Sequence, residues 1–258
     1  FETHQYGNTV GADLWHALST TSDRDVSAFM TSWIDQPGYP VLSVSVEGDD
    51  LVLRQQQFFT GQGSDKNRLW QIPLNSNWVG LPDVMSEAEV RIPGFAELSD
   101  QNGGVPLLFN AQNAAHYLVN YSEDLAHKVM SNLSTYDAVT KVQLIQSALK
   151  LAEGGLSEYA DLVGLLANCR NESSKVVNAA ISQALNALKI FIDEASESET
   201  EFKSFVDQLF NAQYKRLGWD KISGESFNDE QLRVLPISWE VYAEDADALD
   251  RKSTRLNS

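Results

Sequence analysis

The chain has 258 residues, 43% of them hydrophobic and 21% charged, which is the composition of a soluble protein with one to three domains. Its formal net charge of −17 repels nucleic acid phosphates and anionic lipids, so we expect neither a nucleic acid nor a membrane as a partner. Because Cys169 is the single cysteine, no internal disulfide can form, and we expect its thiol to be buried as a small hydrophobic group.

Residues 1–36 are predicted to be helical. Thr9 or Asp13 could cap a first helix, whose apolar face would consist of Leu14, Trp15 and Leu18. Asp25 is the expected N-cap of a second helix, which carries at helical spacing Val26, Phe29, Met30 and Trp33. Pro37 and Gly38 end the helical stretch, because both residue types terminate helices.

From Val41 onward the hydrophobic period changes from 3.6 to 2, which indicates β-strands. The turn residues Gly48, Asp49 and Asp50 are predicted to connect a first strand, with one face of Leu42, Val44 and Val46, to a second strand at residues 51–53. Further strands are predicted at residues 70–74, 89–92, 107–109 and 117–119. Short strands at this spacing predict a β-sandwich over residues 37–121.

Residues 122–249 are predicted to be helical. One stretch places its apolar residues three and four positions apart at Val177, Ala180, Ile181, Ala184, Leu185 and Leu188. A second stretch does the same at Phe202, Phe205, Val206, Leu209 and Phe210. Loops are expected at residues 154–155, 170–171 and 196–200. Several helices of modest length with short loops predict a solenoid-like array of stacked helical hairpins.

The opening of the chain carries a resemblance to a known family. It reads F-E-T-H-Q-Y-G-N-T-V-G-A-D-L-W-H-A-L and leads, through a P-G-Y-P turn at residues 37–40, into the alternating strand. This order closely resembles the aminopeptidase N family of zinc exopeptidases, at the point where a thermolysin-like catalytic domain gives way to a small β-domain. Three further matches extend the resemblance over residues 1–249, namely Q-F-F at 57–59, L-W-Q-I-P-L at 69–74, and L-G-W at 217–219 with E-Q-L-R at 230–233.

The resemblance implies a domain layout and a function. Residues 1–36 would be the C-terminal helices of the catalytic domain, residues 37–121 the β-sandwich, and residues 122–249 the first part of the helical C-terminal domain. Members of the family remove N-terminal residues from peptides with a bound zinc ion, and the likeness is greatest to the cytoplasmic members of lactic acid bacteria. The longer protein from which this chain would derive, here called the parent protein, is therefore expected to be a cytoplasmic metallo-aminopeptidase with peptide substrates.

The zinc-binding H-E-x-x-H and the G-A-M-E-N substrate motif precede this junction in the family, so the chain is expected to be an interior piece. Its partners would then include the missing N-terminal and C-terminal portions of the same chain, and alone it would be inactive. Its four histidines are His4, His16, His116 and His127. None precedes a glutamate and no two are four residues apart, so we assign no catalytic, cofactor-binding or metal-binding residue.

Two further interpretations concern the end of the chain and the function. Residues 250–258 read D-R-K-S-T-R-L-N-S and resemble the translation of a sequencing adapter, so we interpret them as an artefact outside the fold; a basic disordered tail is the alternative. For the function, the alternative to an aminopeptidase fragment is a non-catalytic β-sandwich and helical-repeat module that acts as a scaffold.

Overall fold

The computed structural model describes residues 5–61, 63–64 and 66–256. The predictions that concern Phe1 and His4 lie outside these described residues. The chain divides into two compact units, Phe1–Leu125 and Ala126–Ser258. In the described ranges, no helix is sufficiently long and apolar to cross a lipid bilayer.

The first unit begins with two helices, α1 (Gly11–Ser22) and α2 (Val26–Ile34). The predicted cap of the second helix is confirmed, because the Asp25 carboxylate accepts a hydrogen bond from the Ala28 backbone N–H at 2.9 Å. The first helix starts later than predicted. Tyr6 has a φ of 65°, which a right-handed helix excludes, and the N-cap is Val10 rather than Thr9. Asp13 contributes from inside the first turn, where its carboxylate accepts the Val10 N–H at 2.9 Å.

Two sheets follow in the same unit. In chain order their strands are β1 (Pro40–Glu47), β2 (Asp50–Gln57), β3 (Ile72–Pro73), β4 (Val84–Met85), β5 (Glu89–Pro93) and β6 (Leu118–Tyr121). The larger sheet has the order β5-β2-β1-β6, and β3 pairs with β4 in the smaller one. The predicted hairpin is confirmed, since Glu47 pairs with Asp50 across a two-residue turn in which Gly48 has a φ of 67°. Strands β1 and β6 run parallel, with Val41 opposite Leu118.

The prediction of a strand at residues 107–109 is wrong, because these residues form no strand. Its backbone bonds form no ladder: Asn77 accepts the Leu108 N–H on its side chain at 2.7 Å and donates its own N–H to the Leu108 carbonyl at 3.1 Å, while the Phe109 N–H donates to the Tyr121 hydroxyl at 2.9 Å. The apolar alternation there reflects burial of Leu107 and Phe109 in the core. Two predicted strands are also shifted or shortened: residues 70–74 contribute only β3, and β6 begins after Tyr117.

Both sheets supply one hydrophobic core in the first unit. Its buried side chains include Leu42, Val44, Leu51, Leu53, Trp70, Ile72, Leu74, Met85 and Phe109. Val46, predicted to share the face of Leu42 and Val44, is exposed at the hairpin end. A short helix that the sequence did not predict, α3 (Phe95–Gln101), starts after Gly94, whose positive φ of 77° redirects the chain from β5.

The second unit is a helical bundle. Helix α4 (Glu123–Ser131) leads into it, followed by α5 (Ala138–Glu153), α6 (Tyr159–Ala167), α7 (Lys175–Leu188), α8 (Glu197–Leu217), α9 (Phe227–Leu232), α10 (Val234–Tyr242) and α11 (Ala246–Leu256). Residues of α5 to α8 and α10 form its core, including Ile145, Leu162, Ile181, Leu185, Val206, Phe210 and Trp239. The stacking of these helices as a solenoid-like array stays a prediction.

Two boundaries in this unit differ from the sequence predictions. The loop predicted at residues 196–200 is the first turn of α8, because the Ser196 hydroxyl accepts the Glu199 N–H at 3.1 Å and acidic residues favour a helix N-terminus. Helix α11 runs through residue 256, so residues 250–256 are helical rather than a disordered tail. The interpretation of residues 250–258 as the translation of a sequencing adapter stays a prediction.

Candidate functional site

The described histidines lie on three different segments of the chain. His16 lies exposed on α1, His116 lies exposed before β6 with its ring 4.5 Å from that of Tyr39, and His127 lies exposed on α4. In the ranges that the structure describes, one group of three or more His, Cys, Asp or Glu residues could share an ion, and it contains carboxylates alone. The assignment of no catalytic or cofactor-binding residue stays a prediction.

An open cleft of about 780 Å³ lies in the first unit between the start of α2 and the β3-β4 region. Phe29 and Trp78 give it an apolar lining, and the Trp78 indole is held in place by donating to the Val105 carbonyl at 3.0 Å. At its mouth the Arg24 guanidinium lies 3.9 Å from the Asp83 carboxylate, with both side chains exposed. The described residues that line this cleft include the carboxylates Asp25 and Asp83 but no histidine or cysteine.

A smaller groove of about 230 Å³ lies in the second unit beside Cys169. Cys169 is buried, which confirms the prediction, and burial raises the pKa of its thiol to about 12. Next to it, the Lys141 ammonium lies 2.8 Å from the Glu172 carboxylate. Burial works to raise the pKa of Glu172, but the hydrogen bonds from Lys141 and from the Ser174 and Ser173 N–H groups lower it on balance.

The segments L-G-W and E-Q-L-R, which the sequence resemblance linked, meet in the second unit. The Arg233 guanidinium of the second segment donates to the Leu217 carbonyl and, at 3.3 Å, to the Gly218 carbonyl of the first. It also forms a buried ion pair with Glu225. One guanidinium therefore donates to two carbonyl groups at the C-terminal end of α8 and to one oxygen of a buried carboxylate, which is a structural role.

Sequence reasoning missed an acidic cluster in the second unit, formed by Asp207 on α8, Glu240 on α10 and Asp245 before α11. Glu240 is fully buried, and burial, followed by the nearby Asp207 carboxylate, raises its pKa to about 8. The Asn211 amide donates to Asp207 at 2.7 Å and to Glu240 at 3.4 Å. In the sequence, the cluster is indicated only by one glutamate inside the otherwise apolar run W-E-V-Y. The spacing of Asp207 and Asp245 from that glutamate matches no metal-binding motif.

Comparisons with known proteins agree with one another. The family model of the ERAP1-like C-terminal domain matches residues 106–258. Aminopeptidase N of Lactococcus lactis subsp. lactis (strain IL1403) is 50% identical over 253 residues, which cover 98% of this chain and 30% of that protein. Aminopeptidase N of Lactobacillus helveticus is 40% identical over 250 residues, 96% of this chain and 29% of that protein.

A more distant relative, the Tricorn protease-interacting factor F2 of Thermoplasma volcanium, is 31% identical over 233 residues, 90% of this chain and 28% of that protein. The chain thus spans about 30% of the length of the relatives that it matches.

Proposed function

Because this chain belongs to the family of ERAP1-like C-terminal domains, we propose that it is a non-catalytic part of a zinc-dependent aminopeptidase that removes N-terminal residues from peptides. The observation that carries the proposal is the 50% identity over 253 residues to the lactococcal aminopeptidase N. The cytoplasmic location of the parent is also a proposal and rests on the resemblance alone.

The proposed layout assigns residues 1–36 to the end of a catalytic domain, residues 37–121 to a β-sandwich, and residues 122–249 to the first part of a helical domain. The exposure of α1 supports the first assignment. Leu14 and Leu18, from the predicted apolar face of that helix, are 54% and 41% exposed. A helix with an uncovered apolar face is expected where its packing partner is another part of the same protein, in this proposal the catalytic domain.

The zinc ion in this proposal belongs to the parent protein, since the residues described here do not fit a zinc site. The three described histidines belong to different segments, and the cluster of possible ligands found among the described residues offers only hard carboxylate oxygens. Zinc sites in proteins are built mainly from histidine and cysteine. We therefore propose that the chain alone is catalytically inactive and contributes structure to the parent.

The test is a chimera. Residues 1–249 of this chain replace the matching segment of the lactococcal aminopeptidase N, and hydrolysis of an aminoacyl-arylamide is measured with and without a zinc chelator. We expect zinc-dependent turnover within about tenfold of the lactococcal enzyme, because at this identity the core positions are compatible. The isolated chain, supplied with zinc, should give none.

The control is the same chimera carrying Phe210→Asp, which places a charge in the core of the second unit and should abolish folding and turnover together. A chimera that is soluble and binds zinc but has no activity would count against the proposal and favour the scaffold alternative. Zinc-dependent turnover by the isolated chain would refute the claim that it is inactive alone.

A further inference from the structure

The acidic cluster of Asp207, Glu240 and Asp245 brings one carboxylate of α8 together with two from α10 and the turn that follows it. One oxygen from each lies within 4.8 Å of the others. Ionised carboxylates at this separation repel one another strongly where water is excluded, and Glu240 is fully buried. Such an arrangement is offset either by a proton on one of the carboxyl groups or by a nearby positive charge.

The protein does not supply that charge from its own side chains. No ion pair within the described part of the chain involves Asp207, Glu240 or Asp245. Lys203, on the same helix as Asp207, pairs with Glu199 and Glu244 instead. Within the described residues, the neutral Asn211 amide donates to both Asp207 and Glu240, and no donor faces the Oε1 atom of the buried Glu240.

We propose that Asp207, Glu240 and Asp245 bind one divalent cation of the size and oxygen preference of Ca²⁺. Oxygens that share one Ca²⁺ at about 2.3–2.6 Å lie at most about 5 Å from one another, a limit that these three carboxylates meet. The donor set holds oxygen alone, which suits a hard cation and disfavours zinc or copper.

The carboxylates are held in place before any ion binds. Helices α8 and α10 pack through the rings of Phe210 and Trp239, which are stacked with centroids 6.0 Å apart. The turn after α10 is fixed because Glu244 has a φ of 62° and the Asp245 N–H bonds back to the Glu240 carbonyl at 3.0 Å. Asp245 also accepts the Ala248 N–H at 2.9 Å. A bound cation would therefore tie α8 to the turn between α10 and α11.

The experiment measures Ca²⁺ binding to the chain of residues 1–258 by titration calorimetry, and thermal unfolding in CaCl₂ or in EDTA, at a constant 150 mM NaCl. At a Ca²⁺ concentration tenfold above the dissociation constant, the unfolding midpoint should rise by about 3 °C. Glu240→Gln and Asp207→Asn keep the side-chain shapes but each remove one charged ligand. Each should weaken Ca²⁺ binding at least tenfold and abolish the rise.

The matched control is Glu201→Gln on α8, which removes an exposed carboxylate outside the cluster and should leave Ca²⁺ binding unchanged. If Glu240→Gln does not fold, Asp245→Asn replaces it in the titration, and its Ca²⁺ binding should likewise be at least tenfold weaker. Ca²⁺ binding that survives in Glu240→Gln and Asp207→Asn would locate the ion elsewhere on the acidic surface and overturn the proposal. The absence of any Ca²⁺ response would also overturn it, and a Glu240→Gln variant as stable as the original would then show that a proton neutralises the cluster.

Discussion

The first unit holds a network of charged side chains on the solvent face of its sheet, whereas the second unit also holds a buried ion pair. Glu47, Arg54, Glu89 and Arg91 form a network across strands β1, β2 and β5, with each side chain about 40% exposed. In the second unit, the side chains of Arg233 and Glu225 are only 8% and 7% exposed. The same chemical pair therefore has a different energetic weight in each unit, since water screens the first and is excluded from the second.

The largest effect is expected from Arg233→Ala in the second unit. This change leaves the Glu225 carboxylate and the Leu217 carbonyl buried without their donor, which should cost about 3–5 kcal/mol of the free energy of unfolding in urea. The double variant Arg233→Met with Glu225→Gln removes both charges and should recover most of the loss. A loss below about 1 kcal/mol for Arg233→Ala would remove the contrast between the two units.

A smaller effect is expected from Gln55→Met in the first unit, because its buried polar groups are neutral. The Gln55 amide donates to the Trp70 and Glu87 carbonyls at 3.0 and 2.9 Å and accepts the Trp70 N–H at 2.8 Å. Losing these bonds should lower the free energy of unfolding by about 2–3 kcal/mol. Gln56→Met, at the next and exposed position of β2, should change it by less than about 0.5 kcal/mol in the same urea titration. Equal losses for the two variants would contradict this interpretation.

The smallest effect is expected from Glu47→Gln in the exposed network. Hydrogen bonds from Arg54 and then Arg91 lower the pKa of Glu47 from 4.5 to about 2 in the folded state. A lowered pKa stabilises the fold above pH 4.5, and this contribution disappears as the pH falls from 4.5 towards 2. Urea titrations should therefore separate Glu47→Gln from the original chain only slightly at pH 7, and not at all at pH 2 or in 1 M NaCl. A difference that persists in high salt would show that this network is less exposed than described.

Local features of the fold were predictable from the sequence. Asp25 as a helix cap, the hairpin turn at Gly48, and the apolar stripe around Phe210 each depend on residues within a few positions of one another. The resemblance of the opening motif to the aminopeptidase N family, also a local pattern, is confirmed by the lactococcal relative.

Features that depend on distant residues were missed or predicted wrongly. The segment at residues 107–109 alternates like a strand, yet its backbone pairs with Asn77, which no periodicity reveals. The acidic cluster was not predicted, because Asp207 and Glu240 lie on different helices and only the packing of α8 against α10 brings them together. Burial of a single glutamate cannot be read from sequence until its neighbours in space are known.

The parallel pairing of β1 with β6 sets the order in which the first unit can be completed. Strand β2 follows β1 after a two-residue turn and pairs with one edge of β1. The other edge of β1, at Val41, pairs with Leu118, which is synthesised much later. During synthesis on the ribosome, the hairpin can form early while β1 keeps one edge free for pairing with another chain. Because closing so long a loop is slow, we expect the pairing of β6 with β1 to be the last step in forming this sheet and the step most exposed to misassembly.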